Sequence, residues 1–332
     1  MLSDRSPEVV TRERLLALPK AELHVHLDGS LRPATLLELA RERGVSLPAA
    51  DPAALARHMV ASDTSSLVEY LARFDLTLAV MQDAEAIERI AYELAEDNAA
   101  EGVRYVEVRY CPSLNTRADL TAEGSVEAAL RGLRRAEADF PVRCALIVCG
   151  LRHFEPAVNV ALAELAVAYR GRGVVAFDLA GPEAGHPPRD HLAAFQVAAR
   201  ANLPITIHAG EAAGPDSIRQ ALLECGAKRI GHGTRLDEDP ELLAYVRDFR
   251  IPLEVCLTSN VQTGVVRSIA DHPLRRYLDE GLVVTLCTDN RLISGVTLTD
   301  EYERAAGELG LSFGELERVA AMGLASAFGS SR

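Results

Sequence analysis

The sequence predicts an α/β chain of the (β/α)8, TIM-type barrel class, and three observations predict it. Eight short candidate strands recur along 332 residues, several of them nearly continuous apolar runs, as parallel strands buried on both faces should be. Most are followed by sequence with apolar residues at helical spacing. Residues able to bind metals or move protons stand at the ends of several runs, where a barrel of parallel strands gathers its loops into one mouth. The alternative, a doubly wound open sheet, calls for a glycine-rich phosphate-binding turn after a strand, and no run is followed by one.

Strands are expected over 21–27, 103–109, 143–148, 174–179, 204–208, 229–231, 252–256 and 283–287. Between them, 84–100 places Ile87, Ile90, Ala91 and Leu94 on one helical face. Shorter versions of that pattern occupy 126–136, 191–201, 216–223 and 241–246, and 313–328 closes the chain. The connection 28–102 is far too long for a βα loop. Within it 34–43, 53–59 and 66–78 read as helix, so it is expected to be a helical lid inserted after strand 1 of a single domain spanning 1–332. No internal repeat or low-complexity tract interrupts the chain.

Hydrophobic residues make up 48% and charged residues 25%, a globular composition that excludes disorder. A net charge of -13 repels phosphate backbones and anionic lipid, so neither nucleic acid nor membrane is expected as a partner. An uncharged nucleoside is not affected. The oligomeric state is left open. Six scattered cysteines without a CxxC pair fit a reduced compartment. The polar first residues lack an apolar signal segment, and no run of 18 apolar residues exists. A cytoplasmic protein is expected.

The strand ends carry the chemistry. His24 and His26 alternate along strand 1 and share a face, which lets two imidazoles reach one ion. Strand 5 runs into His208-Ala209-Gly210-Glu211, strand 6 into Gly231-His232-Gly233, and strand 8 into Thr288-Asp289-Asn290. Each has a plain structural reading by itself: an incidental HxH, a carboxylate favoured near a helix N-terminus, or turn chemistry at Asp289-Asn290. Four separate strand ends acquiring ligands together is a different matter. Three histidines and a carboxylate without cysteine suit Zn²⁺ or another borderline divalent ion. His58, His153, His186, His191 and His272 lie elsewhere and are expected on the surface or in structural roles.

At these residues the chain resembles a known family. AELHVHLDGS, FDLAGPE, ITIHAGE, IGHG and CTDN, with YLARFD and VRYVEVRYCP between them, are similar to the adenosine deaminase branch of the amidohydrolase superfamily. The resemblance implies one Zn²⁺ per chain on His24, His26, His208 and Asp289. It implies that Glu211 protonates purine N1 and that His232 orients the attacking water as a base and stabilises the developing charge, with Asp289 completing the catalytic set. Asp28 would meet the ribose hydroxyls, and the Gly181 backbone would meet purine N3. Tyr70, Leu71 and Phe74 would cover the nucleoside, although their spacing also suits a helix core. Asn290 stands where many members carry a second Asp; its amide can still donate to purine N7. The implied reaction is hydrolysis of adenosine and 2′-deoxyadenosine to the 6-oxopurine and ammonia. The alternatives are a modified adenine nucleoside such as aminodeoxyfutalosine, or free adenine, for which Glu rather than Asp28 would be expected. A catalytically dead purine binder would be expected to lack one of the six central residues, all present here. Arg291 is the only basic residue immediately beside these strand ends, so a phosphate clamp is not expected.

Overall fold

A computed structural model describes residues 9–62, 64 and 66–329; the polar opening segment 1–8 lies outside the described residues. Its strands are β1 Lys20–His26, β2 Val103–Tyr110, β3 Arg143–Leu151, β4 Val174–Ala180, β5 Thr206–Ala209, β6 Arg229–His232, β7 Leu253–Val255 and β8 Val284–Leu286. All pair in parallel, in the orders β1-β2-β3-β4 and β5-β6-β7-β8. Single bridges join the halves, Phe177 to Ile205 between β4 and β5, and Val25 to Asp289 just beyond β8. The result is a closed eight-stranded barrel, as expected, and not an open sheet.

The strand boundaries follow backbone chemistry. The fifth and seventh strands begin after Pro204 and Pro252 rather than at them, because proline has no N–H to give to a ladder. The seventh also ends at Val255, since Cys256 already caps the helix Leu257–Gln262. The helix Ala84–Ala100 starts where Asp83 accepts the Ala86 N–H, an N-cap. The expected helix over 66–78 is instead two, Leu67–Leu71 and Phe74–Val80. At the break the Arg73 N–H bonds to Tyr70 O, a tightened turn that ends the first helix. The helix Pro156–Ala168 has no counterpart among the expected elements; its sequence is apolar nearly throughout and shows no polar stripe for periodicity to find. The last helix stops at Ser326, two residues short of the expected end.

The barrel interior is charged. Glu22, Glu107, Arg109, Asp178, Arg229 and Glu254 are all buried. Arg109 bridges Asp178 and Glu254 at 3.0 and 2.9 Å, and Arg229 pairs with Glu254 at 2.6 Å and with Glu107. Buried charges persist only when paired and hydrogen-bonded, and this network forms a polar floor beneath the mouth. The six cysteines are unpaired. Among the described residues no helix is long and apolar enough to cross a membrane.

Candidate active site

The floor dictates how the histidines face. His24 Nδ1 donates to Glu254 at 2.8 Å, and His208 Nδ1 lies 3.1 Å from Asp178. Both rings therefore turn Nε2 toward the mouth. His24 Nε2 is buried without a hydrogen-bond partner, and it sits 3.4 Å from Asp289 Oδ1. His26 Nε2 lies 3.1 Å from His208 Nε2 and 3.4 Å from the same Asp289 oxygen. Asp289 is fixed twice over. Its backbone N–H bonds to His24 O and its carbonyl accepts the His26 N–H, at 2.9 and 2.7 Å, while Ser259 donates to Oδ2 at 2.6 Å.

Donor atoms of His24, His208, His232 and Asp289 lie within 4.8 Å of one another. The set expected from sequence has His26 in place of His232; the structure brings all five together. An orphaned buried Nε2, rings oriented by carboxylates and a shared carboxylate oxygen fit a divalent ion. Asp289 and His232 both adopt positive φ, 60° and 63°, strained backbone of the kind that collects at functional sites. Gly231, just before His232, is required: a Cβ there would come within 3.0 Å of His24 Cε1.

Above this cluster is a cavity of about 250 Å³ lined by His26, Asp28, Tyr70, Leu71, Phe74, Gly181, His208, Glu211, His232, Asp289 and Asn290. Every site residue expected from sequence lines it except His24, which lies fully buried beneath. Glu211 precedes the helix Pro215–Leu223, so it is not the helix-terminal carboxylate of the plain reading. Burial, then Asp289 and Glu183, raise its pKa well above the usual carboxylate range, which favours its protonated form. Asp28 is pushed up to about 7 by burial, and its Oδ1 has no partner. Asn290 makes no side-chain cap bond to the helix that follows it, so it does not merely close a turn. Its packing explains the glycine of HLDGS: a Cβ on Gly29 would sit 1.8 Å from Asn290 Oδ1.

Two expectations need correction. Arg291 pairs with Glu101 and does not line the cavity. Outside the donor cluster the basic side chains that do are Arg117 and His153, the latter expected on the surface or in a structural role; both come from loops after strands whose reach over the mouth sequence spacing does not reveal. Sequence reasoning also missed Glu183, whose carboxylate accepts the N–H groups of Gly210, Glu211 and Ala213 at 2.8, 3.0 and 2.8 Å and so shapes the loop that carries the acid. FDLAGPE contains both Glu183 and Asp178, so the signal was present without a role attached. Asp178, Glu254, Arg109, Ser259 and Asn260 were likewise unassigned.

A family model described as adenosine deaminase matches residues 19–332. The chain belongs to the adenosine deaminase family. An adenosine deaminase from Mycobacteroides abscessus is 44% identical, with 93% of this chain and 90% of that protein covered. A probable adenosine deaminase from Dictyostelium discoideum is 41% identical over 96% of this chain, which spans only 42% of that longer protein. Among solved structures, an adenine deaminase from Arthrobacter aurescens superposes with TM-score 0.89 at 30% identity, covering 95% of each chain. An N6-mAMP deaminase from Arabidopsis gives 0.84 at 34%, covering 96% of each. An amidohydrolase from Burkholderia ambifaria with bound Zn gives 0.86 at 25%, covering 99% of this chain and 91% of that one. As an adenosine deaminase family member, the chain is a hydrolytic deaminase, and its His/Asp cluster is compatible with the metal site such an enzyme needs.

Proposed function

We propose that the chain hydrolyses adenosine and 2′-deoxyadenosine to inosine or deoxyinosine and ammonia. The observation that carries this reading is the placement of Glu211, a buried carboxyl whose pKa is raised, beside the His/Asp cluster on one cavity. His24, His26, His208 and Asp289 are the residues that would hold Zn²⁺. When bound, such an ion makes water acidic enough to serve as a nucleophile near neutral pH.

The rest is the work of side chains. Glu211 gives its proton to N1, which draws electron density from C6. Hydroxide adds at C6, the amino nitrogen takes the hydroxyl proton, and ammonia leaves as the C6 carbonyl forms. Glu211, left ionised, recovers its proton from the next water. Atoms balance: one water enters, and N1–H, the 6-oxo group and ammonia leave. Asn290 is on the lining to donate toward N7. The unpaired Asp28 Oδ1 would accept a sugar hydroxyl, which favours a nucleoside over the free base. Tyr70, Leu71 and Phe74 would close over it and exclude water.

A nucleotide is the second reading, favoured by Arg117 and His153 on the lining. Measuring kcat/KM for adenosine, deoxyadenosine, adenine, adenosine monophosphate and aminodeoxyfutalosine separates the possibilities. Adenosine and deoxyadenosine should lead. Asp28→Asn should weaken adenosine use and narrow the gap to the monophosphate, because a carboxylate facing the sugar repels a 5′-phosphate. Equal use of adenosine and its monophosphate by the unmodified enzyme would overturn the nucleoside preference.

A further inference from the structure

The role of His232 turns on which ring nitrogen bears its proton, and a chain of hydrogen bonds leading out of the site decides this. It begins at the backbone. The Leu274 N–H lies 3.1 Å from His272 Nδ1, and an amide N–H can only donate, so that nitrogen holds a lone pair. His272 is buried, and burial pushes its pKa down to about 3; the ring is neutral and its one proton is on Nε2. That Nε2 faces the Asn260 side chain at 3.2 Å. The receiving atom must be Oδ1, which also accepts from the Thr234 hydroxyl at 2.9 Å. The Asn260 amide nitrogen is then the atom 3.1 Å from His232 Nδ1, and it can only donate. The lone pair of His232 is thereby turned away from the cavity. Its proton is on Nε2, the atom 3.6 Å from Glu211 Oε2.

We propose that Asn260 and His272 are positioning residues that hold His232 as the Nε2–H tautomer, a donor to the oxygen added at purine C6 and neither a base nor a metal ligand. The proposal rests on the deaminase reading of the cavity. It resolves the crowding of five donors: a protonated Nε2 has no lone pair to give an ion, so His232 leaves the ligand set and His26 stays in it. It also fits the proton balance, in which the proton lost by water returns to Glu211 and His232 keeps its own throughout. A preset N–H aimed at the developing oxyanion costs no reorganisation when the reaction occurs.

The tautomer can be read without substrate. Long-range ¹H–¹⁵N correlation spectra of the full chain labelled at histidine, metal-free and zinc-loaded, report which nitrogen is protonated; His232→Gln assigns the signal by its loss. The expected result is an unprotonated Nδ1 and a protonated Nε2 in both forms. Asn260→Asp replaces the donor with a group that accepts, and should move the proton to Nδ1. Turnover of adenosine should then fall on the order of 10²-fold, with KM little changed. His272→Gln keeps an amide able to donate to Asn260 Oδ1, and should retain the tautomer and most of the turnover. A purely structural role for Asn260 would not relocate the proton. Protonated Nδ1 in the unmodified protein overturns the proposal, as does an Asn260→Asp variant with unchanged spectrum and turnover. If Asn260→Asp does not fold, the spectrum of the unmodified chain decides. If that chain deaminates nothing in the substrate panel, the functional reading falls while the tautomer is still measured.

Discussion

In the proposed reaction Glu211 surrenders a proton at neutral pH, and its surroundings suit that role: burial and two neighbouring carboxylates favour the neutral acid. Glu211→Gln preserves shape and hydrogen bonding and removes the transferable proton. Turnover should fall by about 10²–10⁴, with metal content and KM nearly unchanged; near-normal steady-state turnover would exclude Glu211 as the acid. The direction of the pH effect follows from the raised pKa. The working form is protonated, so activity resting on Glu211 is lost as pH rises through its folded pKa, not as pH falls. At this scale the residues of the donor cluster and the polar ones of the cavity lining were legible, because histidines and carboxylates are conspicuous at the ends of apolar runs. Glu254, Asp178 and Arg109 were not, since a charged residue inside a strand acquires meaning only when its cross-barrel partner is known. His272 and Asn260 were hidden for the same reason, being bound to His232 across separate loops.

The helix Leu257–Gln262 carries both Ser259 and Asn260, and a carboxylate from another helix supports its first turn. Glu301, buried in Leu298–Leu309, accepts the Thr258 N–H at 3.3 Å and the Thr258 hydroxyl. Burial raises its pKa to about 7 from an ordinary 4.5, even though the Thr258 bonds oppose the change. The folded state therefore holds a proton that the unfolded state has released between pH 4.5 and 7. Stability falls as pH rises across that window, by about 1.4 kcal/mol for each pH unit crossed. Glu301→Gln keeps an acceptor and cannot ionise, so denaturant unfolding below and above that window should show a smaller stability difference than in the unmodified protein. An unchanged difference would mean that Glu301 is not the titrating group. Element by element, 84–100 was legible because a broad apolar stripe and an N-cap agree. The region 66–78 reads as one helix in sequence because its apolar residues keep helical spacing across the break at Ala72 and Arg73, and spacing alone cannot register a change of axis.

At the scale of the whole molecule the closed barrel was legible from strand count and alternation, while the narrowness of the two single bridges that close it was not. Removing metal tests the ligand set at this scale. Chelation should abolish turnover and lower Tm, since an ion bound only by the native state adds about 4 kcal/mol when free metal exceeds Kd roughly 1,000-fold. Zinc should restore both. Full activity in metal-free protein would refute the site, and an unchanged Tm would place the ion elsewhere.

The two bridges have a further consequence. His24 and His26 belong to the half of the barrel ending at β4, while His208 and Asp289 belong to the other. An ion on these four side chains would act as a rivet across a seam that the buried ion pairs of the floor also span. The first two stand on β1 and the other two at the ends of β5 and β8, so the full set of donors exists only where the two halves meet.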